Sequence, residues 1–413
     1  MREDTSTIGV DCIRNPPSAI YNSRVVPVRP AQLVALALLT GLLGCGGSTD
    51  PNPNPNPTPD PPSGGVPGGF PSTAFTAADG TRFGVQTLAT GLQIPWSLAF
   101  APDGRLFITE RPGRVRIYQN GQLLAEAALT LGDVFTNGES GILGIALDPT
   151  FATTRHVFLT YTAEGPRGPV QRLMRYREVA NRLGEGTVLL DDVPAANIHN
   201  GSRVKFGPDG RLYVSLGDVA VPSVAQDVAS LNGKILRLNA DGTSAPGNRF
   251  SSPVYSFGHR NPQGLDWHPV TGDLWATEHG QTGNDEVNVI DSGANYGWPT
   301  IEADQTRPDM VAPVVFYNPA VAPSGAAFYR GTAIPAFRNQ LFVATLRGMA
   351  LIRLTTDGRR VTAQERLLEN RYGRLRDVVS GPDGYLYICT SNRDGRTTPA
   401  AEDDRLLRIV PYS

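Results

Sequence analysis

The 413-residue sequence predicts an all-β fold, a six-bladed β-propeller with four-stranded antiparallel blades. Three observations lead there. Glycine and proline are abundant, with 45 Gly and 35 Pro, which favours many turns and few long helices. One phrase recurs: "APDGRLFITE" from Ala101, "GPDGRLYVSLGD" from Gly207 and "GPDGYLYICT" from Gly381, with a looser version, "HPVTGDLWATE", from His268. A tight turn followed by alternating apolar residues is the pattern of a hairpin entering a half-buried strand. The turn prolines Pro102, Pro208 and Pro382 lie 106 and 174 residues apart. Those gaps fit two and three units of roughly 50 to 60 residues, the size of a propeller blade. On that period residues 75–413 hold about six blades. A large β-sandwich or barrel is the competing architecture, and recurrence of one turn-plus-strand phrase favours the propeller. Within it, "SVAQDVASLNGKILRL" is expected to hold a short helical turn before a strand.

The chain reads as three parts. Residues 1–44 read as a signal peptide. The apolar run of "LVALALLTGLLGCGG", from Leu33, is short for a membrane span and suits a signal core, with Arg24 and Arg29 as its positive flank. "LLGC", Leu42 to Cys45, resembles a bacterial lipobox. That resemblance implies cleavage before Cys45, lipidation of its thiol and a membrane hold through buried methylenes. An ordinary secretory signal containing a cysteine is the alternative. The expected location is the bacterial cell envelope, with the domain in the periplasm or outside the cytoplasmic membrane. The stretch before Arg24 carries Glu3, Asp4 and Asp11, unlike a signal peptide; a translation start near Val25 to Val28 would account for it. Residues 45–74 are rich in Pro and Gly and read as an extended tether. Residues 75–413 are the propeller. Three cysteines, Cys12, Cys45 and Cys389, make no disulfide framework. A net charge of −2 offers no basic footprint for nucleic acid.

A propeller brings loops that are distant in sequence to one face around a central channel, and function must be read from that site. His199, in "NIHNGSR", is a candidate general base, because neutral imidazole titrates near physiological pH. "SFGHRNPQGLDWHP" crowds His259, Arg260, Asn261 and Gln263 together. On residues alone, Arg260 either staples two loops or faces a bound anion. Arg374 and Arg376, in "YGRLRDV", alternate along an extended segment, which puts both on one face. Two inward guanidiniums repel unless an anion lies between them; the alternative has both in solvent. "EHGQTGNDEVNVIDSGANYGWP" offers oxygen ligands of the kind Ca²⁺ takes, or a solvated acidic turn.

These phrases fall in a recognisable order. "IPWSLAFAPDGRLFITER", "GESGILGIALDPTF", "HNGSRVKFGPDGRLYVSLGD", "QDVASLNGKILRLNADG", "GHRNPQGL", "GNDEVNVIDSGANYGWP", "APSGAAFY" and "RLRDVVSGPDGYLYI" run from about Leu92 to Val410. Together they resemble the soluble pyrroloquinoline-quinone (PQQ)-dependent sugar dehydrogenases, in their aldose sugar dehydrogenase branch, also described as glucose/sorbosone dehydrogenase-like. The resemblance implies a six-bladed propeller that oxidises the C1 hydroxyl of aldose sugars to lactones. It implies that His199 removes the hydroxyl proton while hydride passes to the quinone C5, and that Arg260 and Asn261 stand beside the quinone oxygens. Arg347, Arg374 and Arg376 would hold the cofactor carboxylates, with Leu375, Thr345, Leu346 and Glu139 in the same pocket. Arg347 replaces a Lys of relatives. Glu139 beside an anionic cofactor needs protonation, hydrogen bonds or nearby calcium. Glu286 and the Tyr296 carbonyl match a structural calcium site. Gly280-Gln281 stands where relatives carry Gly-Pro near a second calcium. No C-x-x-C-H haem motif is present, so electrons are expected to leave to an external acceptor, a quinone or cytochrome. Two rival readings use fewer of these residues: a calcium-dependent lactonase-like hydrolase, and a non-catalytic envelope propeller that binds glycans or proteins.

Overall fold

The computed structural model describes Pro71 and residues 73–412. The expected signal peptide, nearly all of the tether, and Cys12 and Cys45 lie outside the described residues. Within them the chain forms six antiparallel sheets in the arrangement of a six-bladed propeller. Blade 1 runs through Pro95–Phe100, Leu106–Glu110, Arg114–Gln119 and Gln122–Leu123; Leu129–Thr130 also pairs with its third strand. Blade 2 comprises Ile142–Leu147, His156–Ala163, Val170–Val179 and Arg182–Pro194. Blade 3 comprises Val204–Phe206, Leu212–Leu216, Lys234–Leu238 and Val254–Phe257. Blade 4 comprises Pro262–Trp267, Leu274–Glu278, Asp285–Ile290 and Val315–Tyr317. Blade 5 comprises Pro323–Phe328, Leu341–Thr345, Leu351–Asp357 and Arg360–Leu367. Blade 6 takes Leu375–Ser380, Leu386–Thr390 and Leu406–Pro411 and adds Arg82–Ala89, with Ala74–Thr76 outside it. The recurrent Pro-Asp-Gly turns join first to second strands in blades 1, 3 and 6, so the proline spacing is a spacing of blades. The helical turn expected before a strand is the 3-10 turn Pro222–Ala225, ahead of Lys234–Leu238.

Apolar residues fill the space between blades rather than the axis. Six hydrophobic clusters form, one at each blade–blade interface. Cys389 is a free thiol buried between blades 6 and 1. The first strand of each blade touches the first strands of its two neighbours, closing a ring around the axis.

At the axis the packing is polar. Arg203, which precedes the first strand of blade 3, is fully buried. Its Nη1 donates to Ser97 Oγ at 2.7 Å and Asp377 Oδ2 at 3.0 Å, and its Nε donates to the Gln263 carbonyl at 2.7 Å. Its Cζ lies 4.3 Å from the centre of the Trp96 ring. One guanidinium thus joins blades 1, 3, 4 and 6. Asp377 Oδ2 also accepts the Leu98 amide at 2.8 Å. Gly325 lies against it, and a Cβ there would overlap the Asp377 carboxylate.

Removing one partner of a buried ion pair leaves the other charge uncompensated, at a cost of about 3–5 kcal/mol. Arg203→Leu is therefore expected to lower stability by that amount in urea denaturation, with part of the loss recovered in Arg203→Leu/Asp377→Leu. A loss below ~1 kcal/mol, the range of an exposed pair, would show that the axial pair does not hold the blades.

Candidate active site

First strands start, and second strands end, on the same face of the ring, because paired strands are antiparallel. Pro95 is opposite Glu110, Pro262 opposite Glu278, Pro323 opposite Thr345 and Leu375 opposite Thr390. Residues just before a first strand and just after a second strand therefore meet around the axis. His199, Arg260, Asn261 and Arg374 belong to the first group; Asp218, His279, Arg347 and Asp394 belong to the second.

A second local device shapes this face. Pairing skips Trp96 between Pro95 and Ser97, Gln263 between Pro262 and Gly264, and Arg376 between Leu375 and Asp377. Such bulges re-aim side chains and recur beside functional sites. All three skipped residues line one cavity of about 240 Å³, with Glu139, His279, Ala322, Leu346, Arg347, Arg374 and Arg396. Arg374 and Arg376 do share the cavity, but a bulge puts Arg376 there rather than simple strand alternation. Leu375 is a correction: its fully buried side chain belongs to the hydrophobic cluster between blades 5 and 6, not to the cavity lining. Thr345 is another: its hydroxyl donates to the Ala350 carbonyl at 2.6 Å and accepts the Ala350 amide at 3.1 Å, shaping the turn that presents Leu346 and Arg347.

The cavity is cationic. Four guanidiniums and one carboxylate line it, and the buried Asp394 behind them pairs with one guanidinium, which leaves an excess of two positive charges. The paired arginines are only partly neutralised by protein. Arg374 Nε and Nη2 donate to Asp394 Oδ2 at 3.0 and 2.8 Å, while Arg376 Nη1 donates to the Gln263 side-chain oxygen at 2.8 Å. Burial, with Arg111 and Arg374 nearby, pulls the Arg376 pKa down; Asp394 and Glu139 oppose that shift. Among the described residues, buried nitrogens without a hydrogen-bond partner include Arg376 Nε and His279 Nε2 in this lining, and Arg260 Nε and Asn261 Nδ2 outside it. Burial pulls the His279 pKa down as well, which favours the neutral ring. A buried polar group without a partner is costly, so this lining suits a ligand rich in acceptors and negative charge.

His199 stands next to this wall. Its Nδ1 is 2.8 Å from Asp218 Oδ1. Asp218 Oδ1 also accepts the Ala220 amide at 2.9 Å, and Oδ2 accepts Trp298 Nε1 at 2.8 Å. Both oxygens thus act as acceptors, so His199 Nδ1 carries the proton and Nε2 keeps its lone pair. Among the described residues nothing bonds Nε2. The loop is held in left-handed backbone, with φ 56° at His199 and 71° at Ser202, which costs on the order of 1–3 kcal/mol per non-glycine residue. Two hydrogen bonds hold it, from the His199 amide to Glu139 Oε2 at 3.2 Å and from the Gly201 amide to Asn261 Oδ1 at 3.0 Å, and Gly217 packs so closely that a Cβ there would overlap the His199 carbonyl. Asn261 therefore braces the His199 loop with its oxygen, and among the described residues its NH₂ has no partner.

Arg260 Cζ is 5.3 Å from the Trp298 ring centre, and its Nη1 donates to the His279 carbonyl at 3.1 Å. The neighbouring residues are a frame: His259 bonds Ser256 Oγ and Glu278 Oε1 and stacks on Tyr296, while Glu278 Oε2 accepts the Arg260 amide. Burial opposes charge on Glu139, but Arg396, the His199 amide and Arg376, with any charge on His279, hold the carboxyl below its usual range.

The matches to known proteins cover this whole ring. The glucose/sorbosone dehydrogenase family model matches residues 92–407. The chain belongs to the glucose/sorbosone dehydrogenase family. It is 34% identical over 365 residues to the aldose sugar dehydrogenase YliI of Escherichia coli (strain K12), covering 82% of this chain and 96% of that one. It is 26% identical over 447 residues to quinoprotein glucose dehydrogenase B of Acinetobacter calcoaceticus, covering 82% and 93% of the two chains. Among solved structures, the PQQ-bound aldose sugar dehydrogenase of Streptomyces coelicolor superposes with a TM-score of 0.73 at 36% identity, over 79% of this chain and 98% of that one.

Within this family member a second, smaller cavity adjoins the first through His279. Arg260, Glu278, Glu286, Tyr296, Trp298 and Glu302 line it. Glu286 Oε1 accepts the Ala303 amide and Oε2 accepts Asn288 Nδ2. Burial, then the nearby Glu278, pushes its pKa up to about 8. A buried oxygen of Glu302, Oε1, has no donor. Among the described residues no three ligating side chains form a metal cluster, so an ion here would draw on main-chain carbonyls as well. The carboxylate and carbonyl oxygens of this lining, beside the single imidazole of His279, fit Ca²⁺. Gly280 lines the same cavity, whereas Gln281 is exposed and does not.

The sequence did not single out Asp218, Trp96, His279, Asp394 or Arg396. Asp218, His279 and Asp394 share one signal: each closely follows the second strand of its blade.

A ligand that binds only the folded state raises stability by mass action. Adding Ca²⁺ is expected to raise the thermal midpoint of the parent by a few degrees. Glu286→Gln should keep the calcium-free midpoint and lose the rise, because Gln resembles the protonated acid. An equal rise in both would place the ion elsewhere.

Proposed function

We propose that this family member is a PQQ- and calcium-dependent aldose sugar dehydrogenase that oxidises the C1 hydroxyl of an aldose to the lactone. One observation carries the reading: a cavity lined by four guanidiniums and one carboxylate, with Arg376 Nε buried and unpartnered, lies against a histidine whose Nδ1 meets a carboxylate. Neither a hydrolase nor a simple binding propeller calls for that combination. PQQ bears three carboxylates, and the excess of guanidiniums in the cavity lining suits such an anion. Arg347, Arg374 and Arg376 would hold those carboxylates, and Arg260 and Asn261 would face the quinone. When bound, PQQ supplies a two-electron quinone acceptor for hydride.

The chain's own residues do the rest. His199 Nε2 accepts the proton of the C1 hydroxyl as C1 loses hydride. Asp218 keeps Nδ1 protonated and stabilises the imidazolium that results. The Arg260 guanidinium is fixed by Trp298 and the His279 carbonyl, so it can stabilise developing oxyanion charge without reorganising. Glu286, with the Tyr296 carbonyl, would hold a structural Ca²⁺, and the main chain at Gly280-Gln281 would offer carbonyls to a second.

Electrons leave to an external quinone or cytochrome in this reading. Residues 1–44 are a signal peptide, residues 45–74 a tether and residues 75–413 the catalytic domain. Cys45 carries a lipid anchor, and the domain stands in the bacterial cell envelope. Cys45→Ala is expected to release the protein from the membrane fraction; retention there would remove the anchor.

Reconstitution of apo-protein with PQQ and Ca²⁺ is expected to give aldose-dependent dye reduction. His199→Gln and Asp218→Asn should each lower kcat on the order of 10²- to 10⁴-fold while sparing PQQ affinity. Loss of PQQ binding in either variant, or parental turnover in both, would overturn the assignment of the base. Arg374→Ala removes one cavity charge and strips Asp394 of its main partner. PQQ affinity should fall at least tenfold, about the worth of one charge-assisted bond. An unchanged affinity would remove Arg374 from the cofactor site.

A further inference from the structure

We propose that Arg396 is a positioning residue for His199, acting through Glu139, and that it ties the base to the anion-binding wall of the cavity. The inference rests on reading His199 as the base. Arg396 lies between the second and third strands of blade 6, in the stretch "SNRDGR". Its root is anchored: the Arg396 amide donates to Asp394 Oδ1 at 3.1 Å, and Asp394 Oδ2 binds Arg374. Its head crosses to another part of the ring. Arg396 Nη2 donates to Glu139 Oε1 at 3.1 Å, and Arg396 Nη1 is 3.9 Å from Asp394 Oδ2. Glu139 Oε2, the other oxygen of the same carboxylate, accepts the His199 amide.

An unbroken chain of polar contacts therefore runs Arg374, Asp394, Arg396, Glu139, His199. It links blade 6 to the loop before blade 2 and then to the loop before blade 3. Its end is a residue that needs holding, since His199 sits in left-handed backbone. Asp218 fixes the ring of His199, whereas Glu139 fixes its main chain. Without Arg396, Glu139 keeps His279 and Arg376 as neighbours, and it is free to swing toward the cavity cations. The His199 amide then loses its acceptor. Gly395, at φ 84° with open space where a Cβ would be, leaves the Arg396 turn room to adjust when an anion occupies the wall. Occupancy at Arg374 and placement of His199 are thereby coupled.

Amide exchange tests the contact without turnover. In apo-protein, Arg396→Ala should speed hydrogen exchange of the peptide spanning residues 196–202 about fivefold, the upper range for a partly exposed ion pair. The blade 3 strand Leu212–Leu216 should not change, and Arg396→Lys should restore most of the protection. In PQQ- and Ca²⁺-loaded enzyme at saturating cofactor, Arg396→Ala should lower kcat by a similar factor with KM for the sugar unchanged. Unchanged exchange overturns the proposal, as does faster exchange with parental kcat. If the parent itself fails to oxidise any aldose, the dehydrogenase reading falls, and the exchange result alone decides whether Arg396 holds His199.

Discussion

The guanidinium of Arg203 is the contact on which the rest depends. Six hydrophobic clusters glue neighbouring blades, but each acts only between two of them. Arg203 reaches four blades from one point, through Ser97, Asp377, the Gln263 carbonyl and the Trp96 ring. It also forms the base of the site. Trp96 and Gln263 both line the cationic cavity, and Arg376 lies 5.8 Å from the same Trp96 ring. A buried charge is a poor source of net stability. Its service here is geometric, since it fixes where the starts of the first strands meet.

From that point the site follows by construction. First strands begin, and second strands end, on one face, and bulges at Trp96, Gln263 and Arg376 aim those side chains at one cavity. The wall gathers guanidiniums faster than carboxylates, which would destabilise an empty protein through mutual repulsion and desolvation. An anionic ligand reverses the sign of that effect. Beside it, Asp218 gives His199 a defined tautomer and Trp298 gives Asp218 a second donor. Trp298 also lies against Arg260. Asp218, the partner of His199, and Arg260 therefore share one indole as their spacer.

Much of this was legible in the sequence, for physical reasons. The Pro-Asp-Gly turn is a local signal, so its spacing gave the blade number. Arg260 and Asn261 stood out by polar crowding, and Arg374 and Arg376 by their alternation, whereas Arg347 was singled out by resemblance and lies just after a second strand. Leu375 was placed by resemblance, and its side chain instead fills the hydrophobic cluster between blades 5 and 6; the Thr345 hydroxyl serves its own turn. Asp218 was hidden by register: it lies 19 residues from His199, and only the pairing of blade strands brings them together. Asp394 and Arg396 sat in a stretch of loop with no periodic pattern. Their role depends on contacts made across the ring, which no local window contains.

The central claim is that the cationic cavity takes PQQ and that the neighbouring base lets sugar reduce it. Titrating Ca²⁺-loaded apo-protein with PQQ and following its absorbance tests both halves at once. The account predicts saturation at one equivalent, a change to the reduced spectrum on adding an aldose, and no such change in His199→Gln. Absence of stoichiometric binding, or a bound quinone indifferent to every aldose, would contradict it.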